Sequence, residues 1–272
     1  MDVAAVLKEY DSLFGKTPVG EIERFLDGQI AQARSEYDRP ALFALLNEAV
    51  GLARNMRKRE KTLALCDELL LLADTLGAVG SPQYATVLLN VGTAYSVFGR
   101  YEGAEALFRE AESLLPPSAS GRVYERMSLY NNWSILCAQQ GRFTDAVSLQ
   151  KKALSGIDAL AGMAEEKATS RANIASILLR RFEAERQGAL LDEAECFLTE
   201  AEAIFRSGAP DSFHRGTALI TLGDLRAARG DRSGAAEAYA RAMEQLERTM
   251  GRSAQYETAR TLYERAKAEE TV

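Results

Sequence analysis

The chain has 272 residues, 47% hydrophobic and 26% charged, within the range of ordinary globular proteins. Its 33 basic and 39 acidic residues leave a net charge of −6, which weighs against a nucleic-acid backbone as partner. No apolar run approaches a membrane span, and the start, MDVAAVLKEYDSLF, is too polar for a signal peptide, so no membrane partner and a cytoplasmic location are expected.

Residues 2–14 are predicted to form an amphipathic helix with Val3, Val6, Leu7, Tyr10 and Leu13-Phe14 on one side. Thr17 is expected to cap, and Pro18 to open, a second helix reaching about Tyr37. Residues 1–37 would thus be an N-terminal helical cap and divergent half-repeat. Asp38-Arg39-Pro40 starts a helix to about Met56, and Glu60 to about Leu76 supplies its partner across Arg57-Lys58-Arg59, a turn without glycine.

The next stretch, Tyr84 to Pro116, is the most regular. Leu88, Val91, Gly92 and Tyr95 share one helical face, and after Gly99-Arg100 a second face carries Ala104, Phe108 and Ala111. Ser81 and Pro82 should cap and open the first helix, Gly99 should end it, and Pro116-Pro117 should stop the second. The same plan recurs over Ser118–Gln140 with Phe143–Leu160, over Glu165–Arg186 with Leu191–Phe205, and over Asp211–Leu246. A last helix, about Ser253 to Glu269, has Tyr256, Ala259, Leu262 and Ala266 on one face and charges on the other, as a solvated end-cap at 251–272 requires. Turn glycines at 99, 141, 188 and 230 are separated by 42, 47 and 42 residues.

The unit at 84–116 resembles a tetratricopeptide repeat. Leu88 stands at the Trp position of that pattern, Val91-Gly92 at Leu-Gly, Tyr95 at Tyr, and Ala104, Phe108, Ala111 and Pro116 at the second-helix positions. In the following unit Trp133 and Ser134 stand at the Leu-Gly pair, and Arg226 replaces the tyrosine in the last one. The long period is similar to that of kinesin light chain repeats, and the layout resembles bacterial stand-alone tetratricopeptide proteins of unassigned function. The resemblance covers roughly residues 40–250 and implies an all-α superhelix (solenoid) of about five helix-turn-helix repeats, with the repeat array at 38–250 between the two caps.

It also implies a concave groove lined by the first helix of each repeat. Carried over, its residues are Leu89, Asn90 and Thr93, then Ser128, Asn131, Asn132 and Ile135. Thr169, Asn173 and Ser176 follow, and Ile220 and Asp224 come last. Asn90, Asn132 and Asn173 occupy one repeat position, and a ladder of amides can pair with an extended peptide backbone, although each could instead tie neighbouring helices together. Leu89, Ile135 and Ile220 would add apolar contacts. The spaced lysines of the chaperone-binding carboxylate clamp are missing, and Arg54, Arg57, Lys58 and Arg59 read as a solvated basic face.

Nothing in the sequence points to catalysis. There is one histidine, His214, no phosphate-binding glycine loop and no metal-ligand spacing, and Cys66, Cys137 and Cys196 all sit in apolar helical patterns. No catalytic residue, metal or cofactor is expected. The expected function is a non-enzymatic protein- or peptide-binding scaffold. The alternatives are a peptide-responsive regulator acting through a separate effector and a self-associating structural protein, for which a homodimer is the simplest form.

Overall fold

A computed structural model describes residues 1–81, 83–116 and 120–270. Pro82, Pro117 and Ser118, assigned to helix ends above, lie outside the described residues. Among the described residues every regular element is helical, and the chain divides into two compact units, Met1–Trp133 and Ser134–Val272.

The first unit contains α1 (Val3–Leu13), α2 (Val19–Ser35), α3 (Arg39–Asn55), α4 (Arg59–Thr75), α5 (Tyr84–Val97), α6 (Tyr101–Leu114) and the start of α7 (Val123–Gln139). Each helix packs on its sequence neighbours, α3 on α4 and α5 on α6, and the first helices α3 and α5 also touch. The second unit holds α8 (Phe143–Asp158), α9 (Ala164–Glu185), α10 (Ala189–Gly208), α11 (Phe213–Ala228), α12 (Arg232–Met250) and α13 (Ala254–Glu270). There α9 pairs with α10, α11 with α12, and α13 closes on α12.

Helix starts follow local chemistry. Asp38 accepts from Ala41 N–H at 3.1 Å with Pro40 in the first turn, and Asp231 accepts from Gly234 N–H at 2.9 Å, each cap stabilising its helix by about 1 kcal/mol. Ser81 Oγ accepts from Tyr84 N–H at 3.2 Å, but α5 starts only at Tyr84, so Gln83 rather than Ser81 takes the cap position, without a side-chain bond. At α2 the expectation is corrected: Pro18 itself takes the cap position and no side chain caps the helix. Helix α7 begins at Val123, after a 3-10 turn at Ser120–Arg122, rather than near Ser118.

Helix ends share one device. Gly99, Gly141 and Gly230 are left-handed, and at Gly99 the next N–H, of Arg100, returns to Tyr95 C=O at 2.8 Å. Tyr37 and Arg57 adopt the same conformation without glycine, and Lys58 N–H returns to Ala53 C=O at 3.0 Å. The glycine at 188 does not: its φ is −58°, and Arg186 is the left-handed residue. The repeat steps Arg57–Gly99–Gly141–Arg186–Gly230 are therefore 42, 42, 45 and 44 residues, more even than the glycines alone suggest.

The helix pairs close over small residues. A methyl group at Gly92 would lie 2.7 Å from Phe108 Cε1, and one at Gly223 would press still closer on the Tyr239 ring. Beside these contacts, Tyr95 packs on Gly103. At the equivalent place Arg226 lays its aliphatic stem on Gly234 and donates to that residue's carbonyl at 3.2 Å, so the arginine fills the tyrosine's position. Trp133 is 6% exposed, 6.3 Å from the Phe108 ring, and serves as core. Cys66 and Cys137 are buried as expected, but Cys196 is exposed on the outer side of its helix.

Candidate binding site

In the first unit the candidate residues follow from α5 and α7. Asn90 Nδ2 donates to Asn47 Oδ1 on α3 at 2.9 Å, so this amide joins two adjacent first helices. Asn47 lies 43 residues before Asn90, Asn132 lies 42 after it, and Asn173 a further 41. The ladder position therefore begins one repeat earlier than the sequence pattern indicated, and the spacing alone was enough to find it. Thr93 donates to Leu89 C=O at 2.7 Å, and Asn132 Nδ2 to Ser128 C=O at 2.8 Å. Asn131 is half-buried. Leu89 is 7% exposed and belongs to the core; it has no apolar surface to give a ligand.

In the second unit Ile135 is 44% exposed on α7, and Asn173 is half-buried on α9. The Thr169 hydroxyl oxygen is enclosed without a hydrogen-bond partner. Ile220 is half-buried, packed against the cluster formed by Leu219, Ala242, Leu246, Tyr256 and Ala259. Ser176 on α9 and Asp224 on α11 come together at the wall of a hollow of about 850 Å³.

That hollow has a buried floor of Leu179, Ala235, Tyr239 and Ala266 and an exposed rim of Arg180, Glu183, Arg186, Asp224, Arg232 and Arg265. Tyr239 O–H donates to Asp224 Oδ1 at 2.7 Å. Desolvation raises the Asp224 pKa and the nearby Glu183 charge adds to this, while the bond from Tyr239 opposes it. Burial and the Asp224 bond push the Tyr239 phenol far up, with Arg265 working against them. Arg180 Nη2 donates to Ala138 C=O at 2.9 Å, with its guanidinium 5.8 Å from the Phe143 ring, and Arg186 lies 5.7 Å from the Phe182 ring. The repeat pattern marks residues beside the Leu-Gly pair, at mid-helix, whereas the hollow opens at the turn end of α9 and α11, so the arginines carry no signal in that pattern.

Two other features are absorbed structurally. Lys58 bonds Glu23, Lys61 bonds Glu23 and Asp27 at 2.9 and 2.7 Å, and Arg59 donates to Phe98 C=O at 2.7 Å. Those bonds from Lys58 and Lys61 hold the Glu23 carboxyl below its ordinary range. Near His214, Ser212 Oγ donates to Glu165 Oε1 at 2.7 Å and accepts from His214 N–H, which makes the serine a helix cap rather than a partner of the imidazole. Desolvation against its surroundings lowers the His214 pKa. Among the described residues no group of three histidine, cysteine or acidic residues could hold a metal ion, and no helix is long and apolar enough to cross a membrane.

Paired helices stacked by sequence order, closed over a Gly–aromatic contact and joined through left-handed turns, define an all-α helical-repeat protein of the tetratricopeptide type. The tetratricopeptide repeat family model matches residues 85–111, which is the α5–α6 pair. No curated protein sequence matches the chain. Among solved structures, BtubC (BKLC) from P. vanneervenii is 18% identical with a TM-score of 0.63, covering 85% of this chain and 91% of that one. A Podosopora anserina putative kinesin light chain with nearly identical TPR-like repeats is 15% identical with a TM-score of 0.59, over 83% and 99% of the two chains. Yeast Tom70 is 15% identical with a TM-score of 0.64, over 99% of this chain but 48% of its own. At such identities the likeness is one of fold.

Proposed function

We propose that the chain is a non-enzymatic scaffold that binds a polypeptide segment along the exposed face of its first helices. The observation that carries this is the hollow in residues 134–272, where Ser176 and Asp224, from two different first helices, line one concavity with an apolar floor and a polar rim. Such a concavity, within the size range of binding clefts, gives a segment both burial and polar anchors. The amides of Asn90 and Asn132 each keep hydrogen-bonding capacity beyond the single bond described, Asn173 stands at the same repeat position, and Ile135 offers exposed apolar surface.

The test compares proteins retained from the source lysate by wild type and by an Asn90→Asp, Asn132→Asp, Asn173→Asp triple variant, with circular dichroism to check helicity. Asn47→Asp serves as a control for the Asn47–Asn90 contact alone. A partner lost only from the triple variant is expected. Identical retention by a fully helical triple variant would remove the asparagines from the binding face.

A further inference from the structure

The hollow in residues 134–272 is cationic, although the chain is acidic. Four arginines and two carboxylates rim it, against a net charge of −6 for the whole chain. Elsewhere in this unit arginines are committed to acids: Arg171 to Asp158 and Glu200, Arg215 and Arg241 to Glu202, and Arg229 to Asp192 and Glu195. Arg180 and Arg186 are not. Among the described residues their contacts are one backbone carbonyl and two aromatic rings, so both keep N–H edges that match a carboxylate. The apolar floor lowers the local dielectric and strengthens attraction at the rim.

We propose that this hollow is an anion subsite for an acidic polypeptide segment whose carboxylates meet Arg180 and Arg186. This rests on the reading of the first-helix face as a polypeptide-binding surface, and it names the chemistry of the partner. A polypeptide suits the site better than a nucleic acid because Asp224 and Glu183 stand among the arginines. A nucleic-acid strand carries a charge on every nucleotide and brings phosphates against those carboxylates. A peptide can place a neutral residue there, and Asp224, with Oδ1 occupied by Tyr239, has a second oxygen to accept a backbone N–H. Asp224 is then the residue that limits how dense the partner's charge can be.

The test is fluorescence anisotropy with the full chain, using rhodamine-labelled hexaglutamate, a Gly-Ser hexapeptide and hexathymidylate. Hexaglutamate should bind about tenfold more tightly than Gly-Ser at about 50 mM salt and lose that advantage at about 500 mM. Arg186→Gly should weaken hexaglutamate several-fold while leaving the fold intact, since glycine suits the left-handed backbone there. The Arg180→Ala, Arg186→Gly double variant should abolish the preference, and Asp224→Asn, which keeps an acceptor for Tyr239, should tighten binding. Equal affinity for hexaglutamate and Gly-Ser, indifference to Arg186→Gly, or stronger binding of hexathymidylate would overturn the proposal. If it fails in this way while a partner is still lost from the triple asparagine variant, the scaffold reading stands and only the acidic partner falls.

Discussion

Two kinds of residue carry the repeat, and they respond to substitution in opposite directions. Gly223 lies under the Tyr239 ring, and an added methyl group cannot be housed without moving that ring and its bond to Asp224. Gly223→Ala should therefore destabilise the second unit by about 2 kcal/mol in chemical denaturation, overpacking outweighing alanine's better helix propensity. Arg57 has φ 59° with no glycine to relieve it. Arg57→Gly should stabilise the chain by about 1 kcal/mol, read as a rise of about 2–4 °C in melting temperature. The small residue at Gly92 was legible in the sequence because the helical period put it on the apolar face with Leu88, Val91 and Tyr95, while its contact with Phe108 appeared only in the structure. The left-handed arginines were not. Glycine is the sequence mark of a left-handed turn, and at Arg57 and Arg186 the returning backbone bonds hold a side-chain-bearing residue in the conformation that glycine adopts freely.

Between helices, one carboxylate does much of the tying in the second unit. Glu202 on α10 bonds Arg215 of α11 at 2.8 Å, Arg241 of α12 at 3.0 Å and Arg206 of its own helix at 3.3 Å. Burial alone would raise its pKa, but the bond from Arg215 and the charges of Arg241 and Arg206 outweigh that and hold it below 4.5. A carboxyl depressed in the folded state contributes its full stability above the unfolded value, near 4.5, and loses it as pH falls through the lower folded value. Glu202→Gln should cost about 2 kcal/mol at neutral pH, and the gap from wild type should close progressively below pH 4.5. Urea titrations at stepped pH measure this directly, and a gap unchanged down to pH 3 (about 1.5 units lower) would assign the loss to packing. Helix pairing was legible from apolar periodicity, yet nothing in that periodicity distinguishes Glu202 from Glu200, two residues away. Ion pairs between helices depend on where side chains meet, and the pattern of one helix does not contain its neighbour's position.

Within each unit, contacts run between helices one or two apart in sequence, and the described residues fall into Met1–Trp133 and Ser134–Val272. Stability in such a chain is local. Hydrogen exchange should show it: Gly92→Ala should accelerate amide exchange within residues 1–133 and leave 134–272 close to wild type, with the opposite outcome for Gly223→Ala. Uniform acceleration throughout would mean one cooperative unit. The all-α repeat class was legible from the recurrence of one pattern, whereas the hollow was not. It is assembled from the ends of α9, α11 and α13 and the start of α12, and residues far apart in the chain reveal such a meeting only once the helices are placed.

The even spacing of the left-handed junctions has a consequence for how the chain can change length. Arg57, Gly99 and Gly141 share one backbone conformation at intervals of 42 residues, and Lys58, Arg100 and Arg142 after them repeat a second. Residues 58–99 thus form a cassette whose two borders are interchangeable. Unequal recombination that duplicated or deleted those codons would splice like to like, adding or removing a whole turn-to-turn module with each border residue keeping the backbone conformation it already has. The later steps of 45 and 44 residues lack this equivalence, which makes the front of the chain the portion free to lengthen by copying.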